Sequence, residues 1–177
     1  MPHLRALLFD LGDTLMQEQT EVKDETETTQ RAELFPGIAS ALRQLRRDGY
    51  PLGLVADTRP GTYRNVLRQH GLWELFTAFA ISEELGTCKP DRRMFLHALQ
   101  CLQVPEADHG AVVMVGNNLA RDIRGANELG LVSVCLRWND RYPALPQAPS
   151  EAPRHTVTSA EALLALIMRL EAAAASR

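Results

Sequence analysis

The sequence predicts an α/β fold in which a parallel β-sheet is covered by helices on both of its faces. Short apolar runs and amphipathic helical patterns alternate along the chain, as they do in βαβ units. The short runs are continuously apolar instead of alternating with polar residues, which is typical of strands buried on both sides. Polar residues follow several of these runs directly, and ligands bind at that edge of such sheets.

Five runs are predicted to be the strands, because each is too short for a helix and ends at polar or turn-forming residues. The run at 52–56 reads L-G-L-V-A, and the run at 111–115 reads A-V-V-M-V. The predicted strands are residues 5–9, 52–56, 78–81, 111–115 and 131–136.

Five helices are predicted between and after these strands. The first begins near Pro36, carries Ile38, Leu42 and Leu45 on one apolar face, and ends at Gly49. The others follow the second strand up to Gly71, run from Pro90 to about Leu102, cover about 119–129, and run from Ser159 to Leu170.

The segment 16–34 is polar and rich in acids, and its composition is not that of a packed domain. It is predicted to be a mobile flap or a polar helix. A chain of 177 residues is long enough to bury one core. We therefore expect a single domain over 1–177, with 16–34 as a short insert and no large cap domain.

Composition argues against several classes of protein. The net charge of −3 does not provide the basic surface that nucleic-acid binding requires. No apolar run reaches the roughly 18 residues that a membrane span requires, and no secretory leader pattern is present at the N-terminus. The three cysteines form no C-x-x-C pair and are expected to be small buried side chains in a reducing compartment. These features predict a cytoplasmic protein.

The candidate functional residues are the polar and small residues that directly follow the predicted strands. Taken singly, each has an ordinary explanation, since such residues often form turns or helix caps. Their joint order along the chain is far more specific. They are Asp10, Gly12, Asp13, Thr14, Ala56, Asp57, Thr58, Lys89, Asn117, Asn118 and Asp122.

Four motifs carry a resemblance that extends over nearly the whole chain. They are F-D-L-G-D-T-L around Asp10, L-V-A-D-T around Ala56, C-K-P-D around Lys89, and V-G-N-N-L-A-R-D-I-R-G-A from 115 to 126. In this order they resemble the motifs of the haloacid dehalogenase (HAD) superfamily. The resemblance implies a Rossmann-like domain with its active site at the carboxyl ends of the strands.

The resemblance also implies roles for these residues. In the phosphatases of this superfamily the first aspartate, here Asp10, attacks phosphorus and forms an aspartyl-phosphate that water hydrolyses. Lys89 would supply a fixed positive charge. A magnesium ion would be held by Asp10, the carbonyl of Gly12 and Asn117, with Asp122 supporting the site. Candidate substrate-binding residues are Asp57, Thr58 and Asn118.

The chain departs from the superfamily pattern at three of these places. Gly12 stands where the phosphatases have a second aspartate, which protonates the leaving oxygen and then activates water. Such acid–base assistance is worth about 10²–10⁴-fold in rate. Ala56 replaces a hydroxyl residue, and Asn117 replaces a charged metal ligand, so magnesium affinity is expected to be weakened.

Two of the losses have candidate substitutes next to them. A local shift of the loop can bring Asp13 to the acid–base position and Thr58 to the phosphate. In the alternative interpretation, Asp13 only caps the turn and Asp57 stands in for the asparagine that the superfamily usually has there. The sequence leaves both interpretations open.

The function predicted from these residues is magnesium-dependent hydrolysis of a small phosphorylated compound, with activity weakened by the loss at Gly12. A homo-oligomer that borrows a lid from a neighbouring subunit is compatible with the open site. One alternative is a catalytically impaired binding or regulatory protein on the same scaffold. Another is a metal-independent dehalogenase-like hydrolase, which needs no second acid, although such enzymes carry a cap larger than 16–34.

Overall fold

The computed structural model describes residues 2–176 and is built around a six-stranded parallel sheet. Residues 1 and 177 of the predicted domain lie outside this range. The sheet order is β5-β4-β1-β6-β7-β8, and β2 and β3 form a separate antiparallel ribbon. The strands are β1 (Ala6–Phe9), β2 (Val22–Lys23), β3 (Thr29–Arg31), β4 (Leu52–Ala56), β5 (Phe76–Ile81), β6 (Val112–Gly116), β7 (Val132–Leu136) and β8 (His155–Val157).

Helices connect the parallel strands up to β7, as the alternating pattern predicts, whereas an irregular segment with one 3-10 turn, Pro149–Glu151, leads from β7 to β8. A π-helical turn, Leu119–Ile123, leads directly into α5, so the helix predicted over 119–129 is present in two differently wound parts. The helices are α1 (Ile38–Arg47), α2 (Pro60–Gln69), α3 (Ser82–Leu85), α4 (Arg92–Cys101), α5 (Arg124–Glu128) and α6 (Ala160–Ala175).

The sheet is packed on both faces, which confirms the predicted fold class. Alternate residues of β1 point to opposite sides of the sheet, as the two-residue period of a strand requires. Leu7 and Phe9 join the buried side chains of α1, α2 and α6 in one core cluster. Ala6 and Leu8 join those of α4 and α5 in the other.

Several local predictions differ from the structure. The strand β8 was not predicted, because it has only three residues and only Val157 of them is buried. The expectation of three buried cysteines is wrong, since Cys88 and Cys101 are exposed and only Cys135 is buried. All three are free thiols.

The polar segment 16–34 folds into a 3-10 turn, Glu18–Thr20, followed by the β2–β3 ribbon. The polar-helix alternative is therefore wrong. The side chain of Asp24 accepts hydrogen bonds from the backbone N–H groups of Thr26 and Thr28, and such local bonds favour a turn over a helix.

The ribbon is docked on α2. The Thr29 N–H donates to Thr62 Oγ1 at 3.0 Å, and Asn65 Nδ2 donates to the Thr29 carbonyl at 2.9 Å.

The topology brings the ends of three strands together. β1 lies between β4 and β6, and its last residue, Phe9, pairs with Leu54 on one side and Val115 on the other. The chain crosses from one side of β1 to the other between β5 and β6, which is the switch point where ligands bind in open α/β sheets. No helix within residues 2–176 is long and apolar enough to cross a membrane.

Candidate active site

A cleft of about 430 Å³ lies at the carboxyl ends of β1, β4 and β6. Most of the residues predicted from the sequence line it. The segment 16–34 also forms part of its wall, through Glu18, Glu21, Lys23, Glu27 and Thr29. The predicted residues in the lining are Asp10, Gly12, Ala56, Asp57, Thr58, Lys89, Asn117, Asn118 and Asp122.

At the floor of the cleft, the ammonium group of Lys89 lies between two carboxylates. Lys89 Nζ lies 2.6 Å from Asp10 Oδ1 and 2.7 Å from Asp122 Oδ1, and it also donates to the Val55 carbonyl at 2.8 Å. All three side chains are buried, with residue exposures of 4% for Lys89, 7% for Asp10 and 1% for Asp122. The second oxygen of Asp10 accepts a hydrogen bond from Thr14 Oγ1 at 2.9 Å.

Lys89 is held in its charged form. Burial by itself would lower the pKa of this ammonium, but the negative charges of Asp10, Asp122 and Asp57 outweigh burial and raise the pKa above its usual value. The cleft floor therefore presents a permanent positive charge that orients the carboxylate of Asp10.

Asp122 ties the loop after β6 to this cation. Its Oδ2 accepts hydrogen bonds from the backbone N–H groups of Asn117 at 3.1 Å and Asn118 at 3.0 Å. A Cβ on Gly116 would lie 2.4 Å from the Asp122 carboxyl carbon, so only glycine leaves room for it. Oδ2 of Asp122 is thus bonded to the loop, whereas its buried Oδ1 lies at ion-pair distance from Lys89 Nζ but accepts no hydrogen bond, so Asp122 positions the loop and Lys89 through different oxygens.

The oxygen atoms around Asp10 suit a hard cation. Within residues 2–176, no three acidic, histidine or cysteine side chains form a metal-binding group. Asn117 lines the cleft, and its Nδ2 donates to the Asp13 carbonyl at 3.1 Å, so its amide oxygen is the atom of this side chain that could bind a cation. A carboxylate, an amide oxygen and the Gly12 carbonyl are the kinds of ligand that magnesium takes together with water and phosphate oxygens.

The residues that follow β4 and β6 also line the cleft. Asp57 accepts a hydrogen bond from the Lys89 N–H at 2.9 Å and lies 3.4 Å from Arg121 Nη1. Thr58 lines the cleft and accepts a weak hydrogen bond from Ser82 Oγ through its carbonyl. Asn118 caps the following turn through its side chain, which accepts from the Arg121 N–H.

Asp13 lies beside the cleft, but its carboxylate is engaged elsewhere. Its Oδ1 accepts the N–H of Glu18 at 3.0 Å, and its Oδ2 lies 2.9 Å from Arg141 Nη1. The residue is 3% exposed and does not line the cleft. An acid–base role for Asp13 stays a prediction, and these contacts are those of a residue that fixes the loop.

Glu18 is an acidic residue of the cleft that the sequence did not single out. Its carboxylate lies beside Gly12 and pairs through Oε2 with Arg141 Nη2 at 2.9 Å. Burial raises the pKa of Glu18, the charges of Asp13, Glu21 and Asp10 raise it further, and Arg141 opposes them. In the sequence Glu18 is one acid among several in a polar segment, and nothing local distinguishes it.

The proline-rich segment after β7 also contributes to the site. Arg141 lies there, and Trp138 Nε1 donates to the Thr14 carbonyl at 2.9 Å while its ring stacks on Phe35 at 4.7 Å. Tyr142 lines the cleft. The sequence placed Trp138 and Tyr142 near the end of a strand, but it gave no signal for Arg141.

Known proteins resemble this chain in sequence. It is 31% identical over 136 residues to a glyceraldehyde 3-phosphate phosphatase of Methanopyrus kandleri, with 77% of this chain and 57% of the relative covered. It is 35% identical over 123 residues to a phosphoserine phosphatase of Thermus thermophilus, with 70% of this chain and 47% of the relative covered. The chain thus spans about half the length of these curated relatives.

The fold has close structural counterparts. A solved structure of a dehalogenase with an intermediate complex superposes with a TM-score of 0.76 at 16% identity, covering 94% of this chain and 98% of that one. The family model of the haloacid dehalogenase-like hydrolases matches residues 6–130, which is more than half of the chain. Together with the cleft built on Asp10, Lys89 and Asp122, this match identifies the chain as a member of the haloacid dehalogenase-like hydrolase family.

Proposed function

We propose that this hydrolase is a magnesium-dependent phosphatase that acts on a small phosphorylated compound through an aspartyl-phosphate at Asp10. The observation that carries the proposal is the Asp10 carboxylate, which lines the cleft with Lys89 Nζ 2.6 Å from one oxygen and Thr14 Oγ1 2.9 Å from the other. These contacts orient the carboxylate for attack.

The proposed reaction has two displacements at phosphorus. An oxygen of Asp10 forms a bond to phosphorus while the bond from phosphorus to the leaving oxygen breaks. Water then attacks the phosphorus of the aspartyl-phosphate, which releases inorganic phosphate and returns the carboxylate of Asp10. Lys89 stays charged throughout and offsets the negative charge that accumulates on the phosphoryl oxygens.

Asp10, the Gly12 carbonyl and Asn117 would hold the magnesium ion, with Asp122 behind them. When bound, the ion neutralises negative charge on the phosphoryl group and so lets a carboxylate approach phosphorus. Only one of these three ligands is charged, so we expect weaker magnesium binding than at a site with two carboxylates.

The cleft suits a small substrate. Its volume of about 430 Å³ is that of a site for a metabolite-sized molecule. We propose that the segment 16–34 acts as a flap over it, supported by its position in the cleft wall. The phosphatase names of the relatives favour a phosphate ester as substrate. The free thiols are compatible with the reducing cytoplasm as the place of action.

The decisive experiment is trapping with beryllium fluoride, which mimics a phosphoryl group on an aspartate. Magnesium and beryllium fluoride together should raise the melting temperature by roughly 5–10 °C at about 100 times the dissociation constant. The variant Asp10→Asn should show no rise, and wild-type protein without magnesium should show none. Phosphate release from a panel of phosphate monoesters should depend on the same residue and the same ion.

Other outcomes would assign the chain to a different class. Halide release from a 2-haloacid without metal, combined with the absence of a shift, would indicate the dehalogenase-like alternative. Neither a shift nor any turnover would indicate a binding or regulatory protein. Either result would overturn the phosphatase proposal.

A further inference from the structure

We propose that Glu18 supplies the acid–base carboxylate that the motif around Asp10 lacks at Gly12. The inference rests on the proposed phosphatase function and assigns the residue that completes it. In this view the site has not lost its second acid, because that acid reaches the same place from the 3-10 turn Glu18–Thr20.

The first argument is the position of the carboxylate. An ideal Cβ on Gly12 would lie 2.2 Å from Glu18 Oε1, 3.0 Å from its Cδ and 3.2 Å from its Cγ. The end of the Glu18 side chain therefore occupies the space that a side chain on residue 12 would enter. Glu18 also lines the cleft that Asp10 and Lys89 line.

The second argument is the reason for a glycine at position 12. The left-handed backbone conformation in this loop falls on Asp13, with φ of 48°, and Gly12 is not among the positive-φ glycines of the described chain. Glycine at position 12 thus leaves space for the Glu18 carboxylate and does not serve a positive-φ backbone conformation. Any larger residue there would displace the Glu18 carboxylate, so Gly12 and Glu18 form a complementary pair.

The third argument is the way in which Glu18 is held. Its backbone N–H donates to Asp13 Oδ1 at 3.0 Å, and its Oε2 lies 2.9 Å from Arg141 Nη2. The same guanidinium binds Asp13 Oδ2 at 2.9 Å. Asp13 and Arg141 are therefore positioning residues: Asp13 holds the Glu18 backbone, and Arg141 holds Oε2, which leaves Oε1 as the oxygen beside Gly12.

The proposed step balances protons in both displacements. Protonated Glu18 gives its proton to the leaving oxygen as the phosphorus–oxygen bond breaks, so that the product leaves as an alcohol. The resulting carboxylate then takes a proton from the water that attacks the aspartyl-phosphate. Phosphate is released, and Glu18 is again protonated for the next cycle.

Leaving-group dependence distinguishes proton donation from a structural role. 2,4-Dinitrophenolate is a weak base and leaves without receiving a proton. An alkoxide is a strong base and needs a proton from an acid in order to leave. The variant Glu18→Gln should lose about 10²–10⁴-fold in turnover of an alkyl phosphate but much less with 2,4-dinitrophenyl phosphate. The matched control is Glu21→Gln, which removes another carboxylate of the same segment in the cleft wall and should affect both substrates to a similar extent.

Trapping separates this inference from the proposed function. Glu18→Gln should keep the melting-temperature rise with magnesium and beryllium fluoride, because that adduct requires no proton transfer. A wild-type shift combined with equal turnover of Glu18→Gln and wild type on the alkyl phosphate would overturn the role of Glu18 alone. A leaving-group-dependent loss in Asp13→Asn, and not in Glu18→Gln, would assign the step to Asp13 instead. Absence of the wild-type shift would overturn the proposed function and this inference together.

Discussion

Lys89 is the residue on which the buried part of the site depends. Its ammonium lies within 2.7 Å of two carboxylates, and all three side chains are almost completely removed from water. A buried carboxylate without a partner is unfavourable, because its desolvation is not compensated. The group carries a net negative charge, which favours a bound cation next to Asp10.

Replacing Lys89 by methionine should therefore reduce stability as well as activity. The two carboxylates would remain buried without their cation, and we expect the free energy of unfolding to fall by about 3–5 kcal/mol at neutral pH. Urea unfolding of Lys89→Met measures this change. The matched control is Lys23→Met, since Lys23 is exposed and pairs with Glu21 at 3.4 Å, and a change within about 1 kcal/mol is expected there. Equal stability of the two variants would contradict this account.

The β2–β3 ribbon is the element that connects the site to the scaffold. It forms part of the cleft wall, and it rests on the first two turns of α2. Gly61 makes this contact possible, because a Cβ at that position would lie 2.5 Å from Thr28 Cγ2. The Thr28 side chain, which directly precedes β3, thus packs against the helix at a position without a side chain.

The variant Gly61→Ala should lift the ribbon from α2. Overpacking of this kind costs about 1–3 kcal/mol, so local opening should increase roughly 5–150-fold. Hydrogen exchange at the Thr29 amide reports it, since this amide donates to Thr62 Oγ1. In Gly61→Ala combined with Thr28→Ser the clashing methyl group is absent, and exchange should return close to the wild-type rate. Unchanged exchange in Gly61→Ala alone would show that the contact is not needed for docking.

The π-helical turn before α5 also forms part of the cleft wall, through Arg121 and Asp122. Its residues Leu119–Ile123 begin directly after the two amides that Asp122 binds. The carboxylate of Asp122 can therefore fold back against its own loop while still reaching Lys89.

At the scale of the whole molecule, two cores on opposite faces of one sheet hold the site at their common edge. On the α4–α5 side the helices approach closely at Gly125, where a Cβ would lie 2.2 Å from Phe95 Cε2 and 2.4 Å from its Cζ. The Phe95 ring is fully buried. The packing of this face therefore requires glycine at position 125.

Substitution Gly125→Ala should destabilise the whole molecule by about 1–3 kcal/mol, corresponding to a fall in melting temperature of roughly 2–12 °C. Gly110→Ala is the matched control, because a Cβ there meets nothing within 4 Å, and a change within about 0.5 kcal/mol is expected. Thermal unfolding without ligands measures both. A melting temperature of Gly125→Ala equal to that of Gly110→Ala would contradict the packing argument.

Much of the architecture could be predicted from local sequence. Continuous apolar runs identified five of the six sheet strands, because burial on both faces leaves a signal within each run. The strand β8 has too few buried residues to leave that signal. The ribbon was missed because its stability comes from contacts with α2 and from the Asp24 turn, and not from its own apolar pattern.

Some residues of the site could likewise be predicted from the sequence, and others could not. The sequence by itself determined the family, the fold and the order of Asp10, Lys89 and Asp122, because these residues follow strands whose ends must meet at one edge of the sheet. The sequence also showed that the second acid of the motif is absent at Gly12. Only the tertiary structure decided what fills that gap, since Glu18 reaches Gly12 through a turn and is held by Arg141 from a distant segment. The local sequence pattern indicates which residues of an element are buried. The space beside a glycine depends instead on segments of the chain that come together only on folding.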